Sequence, residues 1–213
     1  MGINSYIDHS VLKPSQTLRD LEEHIGRCIE LGVYAVCVNP FWVKKATELS
    51  GGKLKVCSVI SFPFGLDTKE QKVLQALRAL EDGAHELDIV MNISAFKSGL
   101  VDYVAEELKA IGRHTRGYMR KLIIETAYLS HEEKKLALEL AVDAGFEFVK
   151  TSTGYAPVGA REEDVKLLVE LSKGRIKVKA SGGITTAEQV ERFLKMGAER
   201  IGTSHTFSIL KRE

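Results

Sequence analysis

Short apolar runs alternate with longer amphipathic stretches along the whole chain, a pattern typical of strands that alternate with helices. Four helical stretches close on a glycine, the residue that best tolerates the left-handed conformation after a helix, and a strand-like run follows each. These glycines are Gly32, Gly83, Gly145 and Gly197, about 50 to 60 residues apart. Their recurrence indicates a repeated unit of strand and helix.

The hydrophobic pattern predicts eight strands, the first of them very short. Their predicted bounds are Tyr6–Asp8, Val33–Val38, Lys55–Ser61, Glu86–Met91, Lys121–Glu125, Glu147–Thr151, Ile176–Ala180 and Arg200–Thr203. Helix starts are predicted where a hydroxyl residue stands three positions before an acid or an amide. These pairs are Thr17 with Asp20, Ser130 with Glu133, and Thr186 with Gln189, and Pro40 occupies a further first-turn position.

Strands that alternate with helices predict a parallel sheet, and eight units of about 25 residues account for nearly all of the 213 residues. We therefore predict an α/β protein with a single domain, a (β/α)8 TIM barrel over residues 1–213. The competing architecture is an open doubly wound sheet. It is disfavoured because no predicted strand is followed by a Gly-x-Gly-x-x-Gly turn.

The composition of the chain argues against several functional classes. The 30 Lys and Arg residues and 29 Asp and Glu residues leave a formal charge of +1, so a basic nucleic-acid-binding domain is not expected. No apolar run approaches the ~18 residues of a membrane span, and no secretory leader is recognised. Cys28, Cys37 and Cys57 form no Cys-x-x-Cys pair and are expected to be small buried side chains, so we expect a reducing cytoplasm.

Lys150 follows the apolar strand residues Phe148 and Val149 without a break, and small hydroxyl residues then turn the chain. A lysine at such a strand end points into a core or cleft, where burial favours the uncharged amine. A free lysine amine is the nucleophile of Schiff-base chemistry on carbonyl compounds. The alternative is a strand-end lysine whose head reaches water. Lys179 stands in the same format on another strand, and two neighbouring ammonium groups would each favour proton loss from the other.

Two aspartates are candidates for the acid of the same site. Asp88 lies between two large apolar residues, so strand alternation turns it towards the barrel interior. A buried carboxylate needs a partner, and either a structural salt bridge or a role in proton transfer satisfies that need. Asp8 ends the predicted first strand and is the second candidate, with His9 and Lys13 expected in the loop beside it.

No metal centre and no cofactor are expected. His9 is predicted to have no chemical role, and the same is predicted for histidines on helical or loop surfaces, which are His24, His85, His114 and His131. No two histidines have the spacing of metal ligands, and no acid cluster suggests a two-metal centre.

Two loops carry residues suited to a phosphate. Gly182 and Gly183 follow the seventh predicted strand, and Gly202, Thr203 and Ser204 lie at the end of the eighth. Barrels often bind phosphate with these two loops, through backbone N–H groups that glycine leaves open and through hydroxyl donors.

Seven blocks of the chain resemble the signature blocks of the deoxyribose-phosphate aldolases, in that family's order and across nearly the whole length. They are Ile7–His9, Val36–Pro40, Phe62–Gly65, Glu86–Asp88, Phe148–Gly154, Val178–Gly183 and Arg200–Ser204. The resemblance implies a lyase of the class I type, a metal-independent aldolase on a TIM barrel that needs no cofactor. Its expected reaction is the reversible cleavage of 2-deoxy-D-ribose 5-phosphate to D-glyceraldehyde 3-phosphate and acetaldehyde, a step of deoxyribonucleotide catabolism.

The resemblance also implies roles that the residues alone leave open. Lys150 would form the imine, and Lys179 would be the second lysine, which favours the free amine of the first and takes part in proton transfer. Asp88 would be the acid–base carboxylate, acting through a water, and Asp8 would support Lys179. Thr153 and the two glycine loops would bind the substrate and its phosphate.

This chain departs from the family at two places. His205 follows the loop Gly202–Ser204, where many members have a small residue, and is expected to alter phosphate affinity or make it depend on pH. The last residues of the chain include no tyrosine of the kind that reaches the active site in some members. Proton transfer is therefore expected to proceed without one.

The expected partners are small sugar phosphates and aldehydes, bound by a cytoplasmic homo-oligomer, a dimer or a tetramer, with no nucleic acid and no membrane. Two other functions remain open. One is another class I aldolase or a transaldolase that acts on a different sugar phosphate, which analysis of the aldehyde products would identify. The other is a non-catalytic phosphosugar-binding barrel, which would bind deoxyribose 5-phosphate without releasing acetaldehyde.

Overall fold

Eight parallel strands close into a barrel in which each strand pairs with the next along the chain and the last pairs with the first. The computed structural model describes residues 2–211. Arg212 and Glu213, which belong to the C-terminal segment without a tyrosine, lie outside the described residues. The strands are β1 (Ile7–Val11), β2 (Ala35–Val38), β3 (Lys55–Ile60), β4 (Glu86–Val90), β5 (Met119–Ile123), β6 (Phe148–Lys150), β7 (Lys177–Ser181) and β8 (Arg200–Thr203). The predicted barrel is confirmed, and except at β1 the strand ends differ from the prediction by at most two residues.

Helices follow the strands around the outside of the barrel. The α-helices are α1 (Leu18–Glu30), α2 (Val43–Ser50), α3 (Lys69–Glu81), α4 (Ile93–Lys97), α5 (Val101–His114), α6 (His131–Asp143), α7 (Glu162–Ser172), α8 (Ala187–Lys195) and α9 (Thr206–Ile209). Short 3-10 turns occupy Ile3–Tyr6, Pro40–Trp42 and Thr126–Tyr128. Within residues 2–211, no helix combines the length and the apolar character needed to cross a bilayer.

Side-chain caps fix where several of these helices begin. All three predicted pairs form reciprocal capping boxes, Thr17 with Asp20 at α1, Ser130 with Glu133 at α6, and Thr186 with Gln189 at α8. Thr68 and Gln71 form a fourth box at α3. Each box satisfies two backbone donors that the first turn leaves open, so the loops that carry the site end at defined positions.

Alternation along the strands separates an outer apolar layer from a charged interior. Leu87 and Ile89 pack in the core between the sheet and the helices, whereas Asp88 contacts side chains of other strands inside the barrel. A smaller apolar cluster in the described residues joins Cys37, Cys57 and Val59. Charged side chains buried in such an interior must compensate one another.

The first strand was predicted wrongly. The prediction ended at Asp8, but β1 continues to Val11, and Tyr6 belongs to the preceding 3-10 turn. Ile7 packs in the outer apolar layer, so alternation places His9 in that layer too, where it is buried against α1 and α9. A histidine in the outer layer interrupts the apolar alternation that predicts a strand. Asp8 and His9 therefore lie inside β1, and not at its end or in the loop after it.

Candidate active site

Asp88 on β4 is the centre of a charged cluster inside the barrel. Its Oδ2 accepts hydrogen bonds from Lys150 Nζ and Lys179 Nζ, each at 2.8 Å. Its Oδ1 accepts from Lys121 Nζ at 2.8 Å and from Cys57 Sγ at 3.1 Å. The structure thus brings the two predicted lysines and the predicted aspartate into direct contact.

Further charged groups, which sequence reasoning missed, complete the cluster. Lys121 Nζ lies 2.6 Å from Glu86 Oε2. Arg200 Nη1 donates to Asp8 Oδ1 at 2.9 Å, while Lys179 Nζ donates to Asp8 Oδ2 at 2.5 Å. Strand alternation was the available signal for Glu86, because it turns Glu86 inward together with Asp88. The strand register then places Lys121 beside Asp88 and Arg200 beside Lys179.

The carboxylates and the cations of the cluster hold one another in the ionised state. Burial acts to raise the pKa of Asp88, but its three lysine neighbours outweigh burial and lower that pKa well below its usual value. Burial also opposes the ionisation of Asp8, yet Lys179 and the other cations around it lower its pKa to about 2. Burial acts to lower the pKa of Lys179, but Asp8 and Asp88 raise it well above its usual value. The expectation that two lysines push each other towards the free amine was therefore wrong for Lys179, which carboxylates keep as a cation.

Lys150 differs from the other cations in its partners and in its position at the adjoining cavity. Among the described residues its one ion-pair partner is Asp88, whereas Lys179 contacts two carboxylates and Lys121 three. The cluster has one cation in excess, with the cations Lys121, Lys150, Lys179 and Arg200 and the carboxylates Asp8, Glu86 and Asp88. Lys150 lines the adjoining cavity. Lys150 is therefore the cation of this cluster that a ligand in the cavity can reach.

A cavity of about 650 Å³ opens above the carboxyl ends of the strands. Its base includes Lys150, and its wall contains every residue predicted to bind substrate or phosphate, namely Thr153, Gly182, Gly183, Gly202, Thr203 and Ser204. Lys13 lies in the loop after β1, as predicted, and lines the same cavity. The predicted amine and the predicted phosphate loops therefore share one space large enough for a small ligand.

The two glycine loops differ in what they offer a ligand. Gly182, with φ +88°, packs so closely on Gly159 that an added Cβ would lie 3.0 Å from the Gly159 Cα. Gly183, with φ +74°, has nothing within 4 Å of an added Cβ and so leaves its backbone open. Thr203 Oγ1 donates to Ile184 O at 2.6 Å and thus braces the loop. The exposed Ser204 hydroxyl is the one with capacity left for a ligand.

Glu125, a further residue that the sequence did not reveal, holds Thr153. Thr153 Oγ1 donates to Glu125 Oε2 at 2.5 Å and accepts from Tyr155 N at 3.1 Å. Burial raises the pKa of Glu125, and its hydrogen bonds with Thr153 oppose that rise. Glu125 directly follows an apolar run after β5 and has a left-handed backbone, φ +52°. The available signal in the sequence was a polar residue at the carboxyl end of a strand. Glu125 orients the Thr153 hydroxyl at the edge of the cavity.

Histidines contribute more to this wall than the sequence indicated. His24, expected on a helical surface, is half-buried, lines the cavity, and lies 2.6 Å through Nδ1 from His9 Nε2. His9 Nδ1 lies 2.8 Å from Thr206 Oγ1. His205 lines the cavity beside Ser204, with Nδ1 3.3 Å from the Ser204 hydroxyl. His24 escaped prediction because its burial depends on α9, which is remote in sequence.

Within residues 2–211, one group of side chains has the spacing of metal ligands. Donor atoms of Cys37, Cys57 and Asp88 lie within 4.8 Å of one another. Three ammonium groups already occupy the Asp88 carboxylate. Burial also raises the pKa of the Cys57 thiol well above its usual value, which disfavours the thiolate that a metal needs. The electrostatics at this point therefore oppose a cation.

Comparison with known proteins places the geometry in context. A family model described as DeoC/LacD family aldolase matches residues 3–207. A deoxyribose-phosphate aldolase of Aquifex aeolicus is 51% identical over 209 residues, which are 98% of this chain and 95% of that protein. The solved structure of an aldolase named QR15 has a TM-score of 0.95 at 51% identity, and the match covers 97% of this chain and 93% of that chain. The tetrameric deoxyribose phosphate aldolase of Aeropyrum pernix has a TM-score of 0.91 at 31% identity, and the match covers 98% of this chain and 89% of that protein.

Proposed function

This chain belongs to the DeoC/LacD family of aldolases, and from that premise we propose that it reversibly cleaves 2-deoxy-D-ribose 5-phosphate to D-glyceraldehyde 3-phosphate and acetaldehyde. The observation that carries the proposal is the position of Lys150. It is the lysine of the charged cluster that reaches the cavity, and it stands 2.8 Å from a buried carboxylate. An accessible amine beside a proton acceptor is what imine chemistry requires.

The reaction starts when the free amine of Lys150 attacks C1 of the open-chain sugar. The carbinolamine takes up a proton, loses water and becomes a protonated imine. Removal of the C3 hydroxyl proton then breaks the C2–C3 bond, whose electron pair moves to C2 as the imine becomes an enamine. D-Glyceraldehyde 3-phosphate leaves. Protonation of the enamine at C2 and hydrolysis of the resulting imine release acetaldehyde and restore the amine.

The charged cluster supplies the groups for these proton transfers. Asp88, hydrogen-bonded to Lys150, accepts and returns protons through a water in the cavity. Lys179 stays charged between Asp8 and Asp88 and disfavours a second positive charge at Lys150. Lys121, bonded to the other Asp88 oxygen, keeps that carboxylate ionised and fixed.

The substrate's phosphate occupies the part of the cavity formed by the loops after β7 and β8. The open backbone at Gly183 and the exposed hydroxyl of Ser204 provide the donors. Thr153, with its hydroxyl proton given to Glu125, presents a lone pair to a substrate hydroxyl. Binding at the phosphate end places C1 over Lys150, which makes the attack effectively intramolecular.

We further propose that the chain works as a cytoplasmic homo-oligomer, a dimer or a tetramer. The Aeropyrum pernix relative is tetrameric at 31% identity. Large apolar side chains are exposed on this chain, such as Phe41, Phe64 and Leu74, and a second copy would cover such groups. The buried free thiols Cys28, Cys37 and Cys57 fit a reducing compartment. Light scattering on the eluting protein would measure the assembly, and a monomeric mass at micromolar concentration would contradict this part.

Trapping of the imine tests the catalytic proposal. The protein is incubated with acetaldehyde and borohydride, and the modified peptide is identified by mass spectrometry. We expect an ethyl group on Lys150. Lys150→Arg should fold but lose turnover, because a guanidinium stays protonated and cannot attack a carbonyl.

Three outcomes of trapping, product analysis and a binding assay would contradict the proposal in different ways. Label found mainly on Lys179 would reverse the roles of the two lysines. Turnover of deoxyribose 5-phosphate to products other than acetaldehyde would indicate a different aldolase. Binding of deoxyribose 5-phosphate with neither label nor cleavage would indicate a non-catalytic barrel.

A further inference from the structure

We propose that His24 is a substrate-binding residue, and that a hydrogen-bond relay from Thr206 through His9 fixes its Nε2–H as a donor to the phosphate of the substrate. The proposal rests on the proposed function for the identity of the ligand. The relay itself consists of two contacts, from His9 Nδ1 to Thr206 Oγ1 at 2.8 Å and from His9 Nε2 to His24 Nδ1 at 2.6 Å.

The geometry of the two histidines shows that a single proton joins them. Their nitrogens lie 2.6 Å apart, whereas their ring centroids lie 4.9 Å apart at an interplanar angle of 24°. The rings therefore meet edge to edge in nearly one plane, as in a hydrogen bond, and do not lie face to face. Two N–H groups cannot point at each other at this separation, so one nitrogen donates and the other accepts.

Thr206 sets the direction of the relay. It is fully buried, and within residues 2–211 its hydroxyl forms a hydrogen bond only with His9 Nδ1. If His9 donated through Nδ1, the Thr206 proton would be left without an acceptor, which is costly in a buried site. The Thr206 hydroxyl therefore donates to His9 Nδ1. His9 then carries its proton on Nε2 and donates to His24 Nδ1, which leaves the proton of His24 on Nε2.

Protonation does not disturb this arrangement near neutral pH. Burial, followed by His24, Arg27 and His205, lowers the pKa of His9 to about 3. Burial also lowers the pKa of His24. Glu23 and Asp20 raise that pKa, and Arg27 and Lys13 lower it further. Both rings are therefore neutral, and His24 is a donor whose orientation does not depend on its own charge.

The fold places this donor beside the phosphate loops. Strand β8 pairs with β1, and β1 leads into α1, which carries His24 in its second turn. His24, Ser204 and Gly183 line the same cavity. The Phe207 ring lies 4.6 Å from the His9 ring and 5.3 Å from the His24 ring, and Arg27 covers Phe207 at 3.8 Å. This packing holds the imidazole in place before the substrate arrives.

Steady-state kinetics on deoxyribose 5-phosphate and on unphosphorylated deoxyribose test the assignment. His24→Phe keeps the ring and removes the donor. We expect it to raise KM for the phosphorylated substrate roughly ten- to hundredfold, the loss of one hydrogen bond to a charged group. The preference for deoxyribose 5-phosphate over deoxyribose, taken as the ratio of the two kcat/KM values, should fall with it. His24→Gln, which keeps an N–H near Nε2, should recover part of the loss, and His131→Phe on α6 serves as the control for replacing a histidine outside the cavity.

The relay has its own readout. In ¹⁵N spectra of the imidazoles, His24 and His9 should both carry the proton on Nε2, and inorganic phosphate should shift the His24 Nε2 signal. Thr206→Val removes the donor that orients His9, so it should weaken binding of the phosphorylated substrate and disturb the Nε2 pattern, while Thr206→Ser should restore both.

The outcomes separate this inference from the proposed function. A His24 proton on Nδ1, or an unchanged preference for the phosphorylated substrate in His24→Phe, would overturn the inference while the aldolase activity stands. If the parent cleaves neither sugar, the proposed function fails, and the response of His24 Nε2 to inorganic phosphate still decides whether His24 contacts phosphate.

Discussion

Removing the charge of Lys179 tests how the cluster activates Lys150. We expect the acidic limb of kcat/KM for deoxyribose 5-phosphate to move to higher pH in Lys179→Met, because Lys150 loses a neighbouring cation that disfavours its own charge. Both ammonium nitrogens lie 2.8 Å from Asp88 Oδ2, so their separation is at most twice that distance, 5.6 Å.

The size of the shift follows from that separation. Two unit charges at this distance repel by about 0.7 kcal/mol in a water-like dielectric and by about 3 kcal/mol at an effective dielectric of about 20. These energies correspond to a movement of the acidic limb by about 0.5 to 2 pH units. Asp88 also loses a competing partner and becomes more available to the Lys150 ammonium, which acts in the same direction. Asp8 keeps Arg200 at 2.9 Å, so the variant does not leave that carboxylate alone.

The assay is the initial rate of acetaldehyde release, measured by quenching and mass spectrometry across the pH range so that no coupling enzyme contributes its own pH dependence. Lys179→Arg keeps a cation and is the matched control, and its acidic limb should stay near that of the parent. Urea titration of each variant separates a loss of folding from a change in chemistry. An acidic limb that does not move in Lys179→Met, with the fold intact, would refute the electrostatic reasoning and leave burial alone to activate Lys150.

Three further predictions concern the cavity wall and His9, which lies behind it. Burial and then His24 lower the pKa of His9 to about 3, so the unfolded state binds a proton that the folded state refuses, and stability is lost as pH falls below about 6.5. By about pH 5 the loss should reach about 2 kcal/mol in urea titrations, and His9→Gln should lack that part of the slope. Gly183→Val should raise KM for deoxyribose 5-phosphate far more than for deoxyribose, because backbone strain affects both substrates but only one loses a phosphate contact; equal changes would indicate strain alone. His205→Ser should raise KM for deoxyribose 5-phosphate more than for deoxyribose, because it removes a ring nitrogen beside the Ser204 hydroxyl, and equal changes would show that the imidazole points away from the phosphate.

The fold could be read from the sequence because its signals are local. A glycine such as Gly145 after a helix, a capping pair such as Ser130 with Glu133, and a short apolar run each depend on neighbours within a few residues. The bounds of β1 could not be predicted from local signals, for a physical reason. The burial of His9 is compensated by Thr206, 197 positions away, and no local pattern contains that information.

The candidate site was predictable where a charged residue stands next to apolar strand residues, and not where it stands at a predicted strand start. Lys150 and Lys179 follow apolar strand residues and were visible at once. Glu86 and Arg200 begin β4 and β8, and Lys121 begins the predicted fifth strand although it lies in the middle of β5. A charged residue at a predicted strand start is ordinarily read as a solvated strand end. Closure of the barrel buries these positions, and only the closed sheet shows that the charges compensate one another.

The single excess cation in the cluster bears on the order of the proposed steps. Attack by the Lys150 amine forms a positive imine in place of a neutral amine, and the neighbouring cations oppose this charge while Asp88 supports it. Cleavage of C2–C3 converts the imine to a neutral enamine and removes the same charge, so the repulsion from Lys179 favours cleavage. The Nζ atoms of Lys150 and Lys179 lie at most 5.6 Å apart. The repulsion between their charges therefore assists both the loss of the first proton from Lys150 and the bond-breaking step. Lys179→Met should accordingly lower kcat as well as shift the acidic limb, because at high pH, where the amine is already free, the assistance to cleavage is still missing.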